Sequence, residues 1–290
     1  MNNDTLPDRE TPDQYPIRTA EPLSEEFLDA LVIELNKDNI VGIILGGSYA
    51  RNEATPFSDV DLACFVLDSV KPLPKRFIYR DGRLVSIGSR TVSGTHSELA
   101  RPERAIFIVS GFRRVLLDKD GSVSGLMREI ETFKWEPLQK AADNYTSFGM
   151  MIYAEQVHKI LSEIFKRDDL ALSYATSKLL FSLTEAVAVQ RGVLVKNDST
   201  YYRQVQETVG LDSAWTRYHR MAAGVDIVQA DDRPVMARGI AALCLYRDTI
   251  ALLRTVMHPD HLQVAEQAMQ IVDQAEFLHQ FGFGGAREWN

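Results

Sequence analysis

The chain has 290 residues, 45% of them hydrophobic and 25% charged, with a formal net charge of −8. This is enough apolar material for one large domain or two ordinary ones. The acidic balance argues against a general nucleic-acid binder, which needs a basic face for phosphates, and suits a cationic small molecule. Cys64 and Cys244 stand in apolar runs and read as buried thiols of a reducing compartment. No apolar run approaches the ~20 residues of a membrane span, and no apolar signal segment opens the chain, so a cytoplasmic protein without a membrane partner is expected.

Residues 1–20 are polar, with Pro7, Pro12 and Pro16, and read as a flexible leader. Residues 24–37 predict an amphipathic helix: Ser24 is a candidate N-cap, and Phe27, Leu28, Leu31, Val32 and Leu35 recur at helical spacing. The run IVGIIL at 40–45 predicts a buried strand, broken by Gly46-Gly47, with a helix start over 48–53. Residues 59–67 alternate and predict a second strand. Strands at 76–80 and 83–91 flank Asp81-Gly82, a hairpin signal. Helices follow at 102–110 and 122–134, with a short strand at 114–117 between them.

From about residue 137 the pattern turns helical: 138–167, 170–191, 199–208, 212–222, 231–256 and 259–280. Gly192 fits a C-cap, and Asp198 or Ser199 an N-cap. The expected fold is therefore an α/β (α+β) N-terminal domain with a small mixed sheet over 21–135, followed by an all-α domain over 136–290.

The chemistry concentrates in Gly46-Gly47-Ser48-Tyr49-Ala50-Arg51 and Ser58-Asp59-Val60-Asp61-Leu62. Two glycines after a strand permit a tight turn and close backbone approach to a ligand. Ser48 opens a helix, whose free N–H groups favour phosphate oxygens. Asp59 and Asp61, two apart in a strand, point to one face. Two such carboxylates repel unless a cation joins them, and Mg²⁺ takes oxygen ligands and bridges to substrate phosphates. Arg51, one turn after Ser48, either meets phosphate or braces Asp59 or Glu53. A lone Asp-x-Asp is common on solvated strand edges; the ordered combination of strand, Gly-Gly-Ser, helix start, Asp-x-Asp and apolar strand is far more specific.

The segment GGSYARNEATPFSDVDL resembles the signature of the polymerase-β-like nucleotidyltransferase superfamily. Within it, the chain looks most like the antibiotic nucleotidyltransferases acting on aminoglycosides and lincosamides, which also join an N-terminal nucleotidyltransferase domain to a helical one. The resemblance covers residues 40–67 strongly, 68–134 loosely and the helical half only in architecture. It implies that Gly47 and Ser48, with Arg51 nearby, hold a nucleoside triphosphate (ATP in the first instance) and that Asp59 and Asp61 bind Mg²⁺. It also implies transfer of a nucleoside monophosphate to a hydroxyl of a small acceptor bound by the helical domain, with release of pyrophosphate.

Two positions depart from the family pattern. Asn52 stands where glycine is frequent, a mild change because asparagine tolerates a left-handed backbone. The third carboxylate, often the general base or a further metal ligand, is expected by register at Ser86, which cannot do that work. Asp81, Glu98 or Glu185 are the substitutes. Glu185, within the apolar stretch LLFSLTEAVAVQ, is the most conspicuous acid of the helical half and the candidate catalytic base. Two rival readings stand beside transfer to a small molecule: an inactive, nucleotide-binding regulatory or antitoxin-like module, and nucleotidylation of a protein or of RNA ends.

Overall fold

The computed structural model describes residues 20–226 and 233–275, so the leader expected over 1–20 lies, but for Ala20, outside the described residues, as do positions 231–232 and 276–280 of two expected helices. Two compact units emerge. One takes the chain up to Gly94 and again Phe112–Arg128; the other takes Thr95–Gly111 and the chain from Glu129 onward.

The first unit is a five-stranded sheet. Ser24 accepts from Phe27 N at 3.2 Å and caps α1 (Glu25–Leu35), whose first-turn Glu25 and Glu26 complement the helix dipole. That helix buries Phe27, Leu28, Leu31 and Leu35 against Val60, Leu62, Cys64, Val85 and Ile87 of the sheet. β1 (Ile40–Gly46) is buried along its whole length and sits between β2 (Val60–Val66) and β5 (Phe112–Asp118), antiparallel to both. β3 (Arg76–Arg80) and β4 (Arg83–Thr91) form the expected hairpin, with Asp81 and Gly82 at φ 50° and 75°, the geometry that Asp-Gly favours. The order is β3-β4-β2-β1-β5, mixed because β4 runs parallel to β2. α2 (Gly47–Ala50) and α5 (Ser122–Glu131) complete the unit, apart from the last residues of α5.

The second unit is helical. α3 (Val92–Leu99), which the sequence pattern does not predict, crosses the unit boundary and leads to α4 (Pro102–Ile108). The linear division at residue 135 is thus not where the contacts divide. Ile106 of α4 is buried in the helical core, and its carbonyl accepts from Val195 N at 2.7 Å, which draws Thr95–Gly111 into the helical unit.

The core is built on α6 (Gln139–Lys166) and α7 (Asp169–Arg191). Arg167 at φ 61° ends the former, and Asp168 caps the latter by accepting from Ala171 N. Gly192 ends α7 at φ 63°, as expected, with the Trp135 ring against its Cα. The next cap is Asn197, not Asp198 or Ser199: its side chain accepts from Thr200 N at 2.8 Å and starts a 3-10 turn before α8 (Tyr201–Val209). α9 (Ala214–Ala223), α10 (Pro234–Leu253) and α11 (Pro259–Gln274) follow. Among the described residues, no helix is long and apolar enough to cross a membrane.

Candidate functional site

The turn from β1 into α2 is tightly determined. Gly47 sits at φ 65°, and a Cβ placed there would lie 2.1 Å from Asp61 Oδ2. Only glycine lets the Asp61 carboxylate approach this backbone. α2 is a single turn, shorter than expected from the sequence. Asn52 reverses the chain at φ 59°, and Glu53 N returns to the Ser48 carbonyl at 2.9 Å. The first N–H groups of such a turn have no acceptor within the helix and are available to an anion. Of the roles open to Arg51, the structure contains the brace: its Nε meets Glu53 Oε2 at 2.8 Å, and its side chain is only 10% exposed.

Asp59 precedes the first residue of β2, and Asp61 is its second residue. Both are half-buried. Burial raises the Asp61 carboxyl above its ordinary value, and repulsion from Asp59 adds to this. Lys75, a hydrogen bond from the Ser86 hydroxyl and the charge of Arg51 act in the opposite direction. A carboxylate pair in this condition gains from a bound cation. Hard oxygen donors suit Mg²⁺, which keeps several waters and takes phosphate oxygens from substrate, so two protein carboxylates fit it. Among the described residues, no group of three or more His, Cys, Asp or Glu side chains has metal-holding geometry.

Ser86 is the direct cross-strand partner of Asp61 and is 1% exposed. Of the acids considered as substitutes, Asp81 sits in the hairpin turn, five positions from Ser86 and so about 16 Å away along the strand. It is out of reach of Asp61. Glu98 on α3 and Glu185 on α7 belong to the helical unit.

Within that unit, Glu185 accepts from the Tyr145 hydroxyl at 2.8 Å. It lines a cavity of 560 Å³ with Phe107, Phe181, Asp198, Ser199, Tyr201 and Tyr202. The rings are linked in sequence: Phe107 to Tyr201 at 5.6 Å, Tyr201 to Tyr202 at 6.2 Å, and Tyr202 to Phe181 at 5.7 Å between centroids. Burial, then Glu185 (through its charge, and at Tyr145 first through the hydrogen bond), pushes the Tyr153 hydroxyl up to about 12 and those of Tyr145 and Tyr201 above the ordinary phenol range.

The basic residues around the hairpin do not act together. Arg76, Arg80 and Arg83 share the α1 face: Arg80 pairs with Glu34 at 3.3 Å, and Arg83 lies over the Phe27 ring. Arg90 lies over Phe112. Of these hairpin residues it is Lys75 whose charge reaches Asp61, beside that of Arg51, a role its sequence position did not single out.

Residues 26–98 match the family model described as "Nucleotidyltransferase domain". That span contains Gly47, Ser48, Asp59, Asp61 and Ser86. A nucleotidyltransferase-like protein from Exiguobacterium sibiricum 255-15, of known crystal structure, is 13% identical, with a TM-score of 0.47 over 86% of this chain and 79% of that one. No curated protein sequence matches this chain.

Proposed function

We propose that the chain transfers a nucleoside monophosphate from a nucleoside triphosphate, ATP in the first instance, to a hydroxyl of a small acceptor, with Mg²⁺. The observation that carries this reading is the Asp59–Asp61 pair, with Asp61 set against Gly47, inside a matched nucleotidyltransferase domain. In this reading the Gly47–Ser48 backbone and the Ser48 hydroxyl donate to triphosphate oxygens, and Asp59 and Asp61 hold the metal. Ser86 holds the Asp61 carboxylate in place, and Arg51, fixed by Glu53, adds positive potential. Bound there, Mg²⁺ would neutralise charge on the leaving pyrophosphate. The acceptor oxygen attacks the α-phosphorus, the bond to the bridging oxygen breaks, and the hydroxyl proton passes to a base.

Glu185 is the acid we assign to that proton. The aromatic walls beside it and the carboxylates of Glu185 and Asp198 support a ring-bearing, amine-bearing acceptor, an aminoglycoside-like antibiotic among them. The buried Ser86 at the position of the missing acid favours the second reading, a regulatory or antitoxin-like module that binds nucleotide without turnover. Nucleotidylation of a protein or of RNA ends is a weaker third. Pyrophosphate release, screened over aminoglycosides and lincosamides, separates the first two. Turnover with any acceptor selects the enzyme. Silence across the panel, with ATP and Mg²⁺ still bound, selects the binder. Full turnover by Glu185→Gln would remove Glu185 as the base.

A further inference from the structure

The sheet register aligns the carboxylates with two exposed rings. Asp61 on β2 is opposite Ser86 on β4, and Ser86 is opposite Phe77 on β3. Direct cross-strand partners share a face, so Asp61, Ser86 and Phe77 form one row. A second row lies one pleat repeat away. Val60 is opposite Val85, which sets Asp59 level with Leu84, and Leu84 is opposite Tyr79. Each aromatic is thus two strands, about 10 Å, from one of the two carboxylates.

The neighbours of these rings support the assignment of faces. Ile78, between them, packs into the α1 core, and Arg80 pairs with Glu34 of α1, so Phe77 and Tyr79 project from the opposite side. Phe77 is 57% exposed and Tyr79 78%. Charges on an edge strand are an ordinary guard against aggregation, whereas two large rings side by side on its open face are not. Lys75 completes the group: its ammonium stands 5.2 Å from the Phe77 centroid and acts on Asp61. A cation therefore stands at the Phe77 ring and within electrostatic reach of Asp61.

We infer that Phe77 and Tyr79 form a stacking platform for a nucleobase whose phosphate end lies at Asp59, Asp61 and Lys75. Aromatic faces accept any base and need no hydrogen-bond partner. The span from the carboxylates to the rings is that of a phosphate, a sugar and a base in succession. The base belongs either to the triphosphate itself or to an acceptor that is a nucleotide. This inference rests on the nucleotide-site reading above and adds the group that recognises the base.

The test compares wild type with Phe77→Leu, Phe77→Ala and Tyr79→Ala, with Mg²⁺ present throughout. Both sites are exposed, and unchanged melting temperatures without ligand will show that the variants fold. Three probes are titrated: inorganic tripolyphosphate, ATP, and the dinucleoside monophosphate ApA added to protein saturated with tripolyphosphate. Tripolyphosphate is expected to bind all four proteins equally. Loss of the Phe77 ring should weaken one base-bearing probe about tenfold, within the range for one base on one ring. A loss in ATP assigns the platform to the donor base; a loss in ApA alone assigns it to the acceptor. Tripolyphosphate binding with ATP and ApA unaffected by all three substitutions overturns the platform alone. Failure of tripolyphosphate to bind wild type overturns the nucleotide site and the platform with it.

Discussion

Asp61 in the sheet unit and His219 in the helical unit are held in opposite ways. In the sheet unit, Asp61 is pressed against Gly47, partly desolvated and repelled by Asp59. In the helical unit, His219 is fully buried with both ring nitrogens engaged, Nε2 with Thr184 and Nδ1 with Gln206, each at 2.9 Å, and it stacks on Trp215. One arrangement leaves two carboxylates in mutual repulsion; the other gives each ring nitrogen a partner. Groups held at a cost to the fold are where ligands or chemistry are expected, and groups satisfied internally report on stability.

The largest effect that sharpens this contrast is expected at Asp61. Asp61→Asn should reduce turnover on the order of 10³-fold, because in the proposed reaction it removes a metal carboxylate worth several kcal/mol in the transition state. The same change should raise, not lower, the melting temperature of the ligand-free protein. A carboxyl raised in the folded state contributes stability below its unfolded value and loses it as pH rises through the folded value. At neutral pH the ionised group therefore opposes folding. Solvent at this half-exposed site limits the gain to below about 1 kcal/mol. A fall in stability would show that Asp61 is structural.

His219 should behave in the opposite sense to a site. Burial pushes it down to about 4, so the unfolded chain takes up its proton first as pH falls. Its contribution is complete above pH 6.5 and lost progressively toward pH 4, up to roughly 3 kcal/mol. Urea unfolding followed by Trp215 fluorescence at several pH values should show the slope, and His219→Gln should flatten it. A slope that persists in the variant would place the titration elsewhere.

Gly47→Ala comes next. The left-handed backbone alone costs about 1–2 kcal/mol, and the added Cβ displaces the Asp61 carboxylate. Thermal unfolding and ATP titration should both register it. Wild-type ATP affinity in a folded Gly47→Ala protein would detach Asp61 from nucleotide binding. The smallest effect is expected at Tyr145→Phe: removal of the hydrogen bond to Glu185 should cost about 1 kcal/mol, with no change in ATP affinity.

Much of this architecture was legible because local signals and tertiary packing agree. The unbroken apolar run of β1, the Ser24 cap, the Asp81-Gly82 turn and the Gly192 cap each need only a few neighbouring residues to specify them. The Gly-Ser and Asp-x-Asp elements were legible as a pattern, and Ser86 stands out only when β4 is aligned with β2. What sequence alone did not reveal depends on distant pairing. α3 lacks an apolar period, and part of its first turn is held by Thr91 Oγ1 accepting from Gly94 N and by Ser93 reaching Asp68. Thr95–Gly111 joins the helices because Ile106 finds its core there. Asn197 outcompetes Asp198 and Ser199 as a cap because its carboxamide oxygen reaches Thr200 N. The cavity walls come from positions as far apart as Phe107, Phe181 and Tyr201, and the rows that link the aspartates to Phe77 and Tyr79 arise only from the strand order.

In the proposed function, Asp59 and Asp61 form, with the Gly47 turn, a metal-dependent triphosphate site. The most direct measurement is the melting temperature with ATP, with Mg²⁺ and with both, in wild type and in the Asp59→Asn, Asp61→Asn double variant. A ligand at about 100 times its Kd stabilises by about 2.7 kcal/mol, so a clear upward shift is expected in wild type only when ATP and Mg²⁺ are present together, and none in the double variant. No metal-dependent shift in wild type, or an equal shift in both proteins, would contradict it.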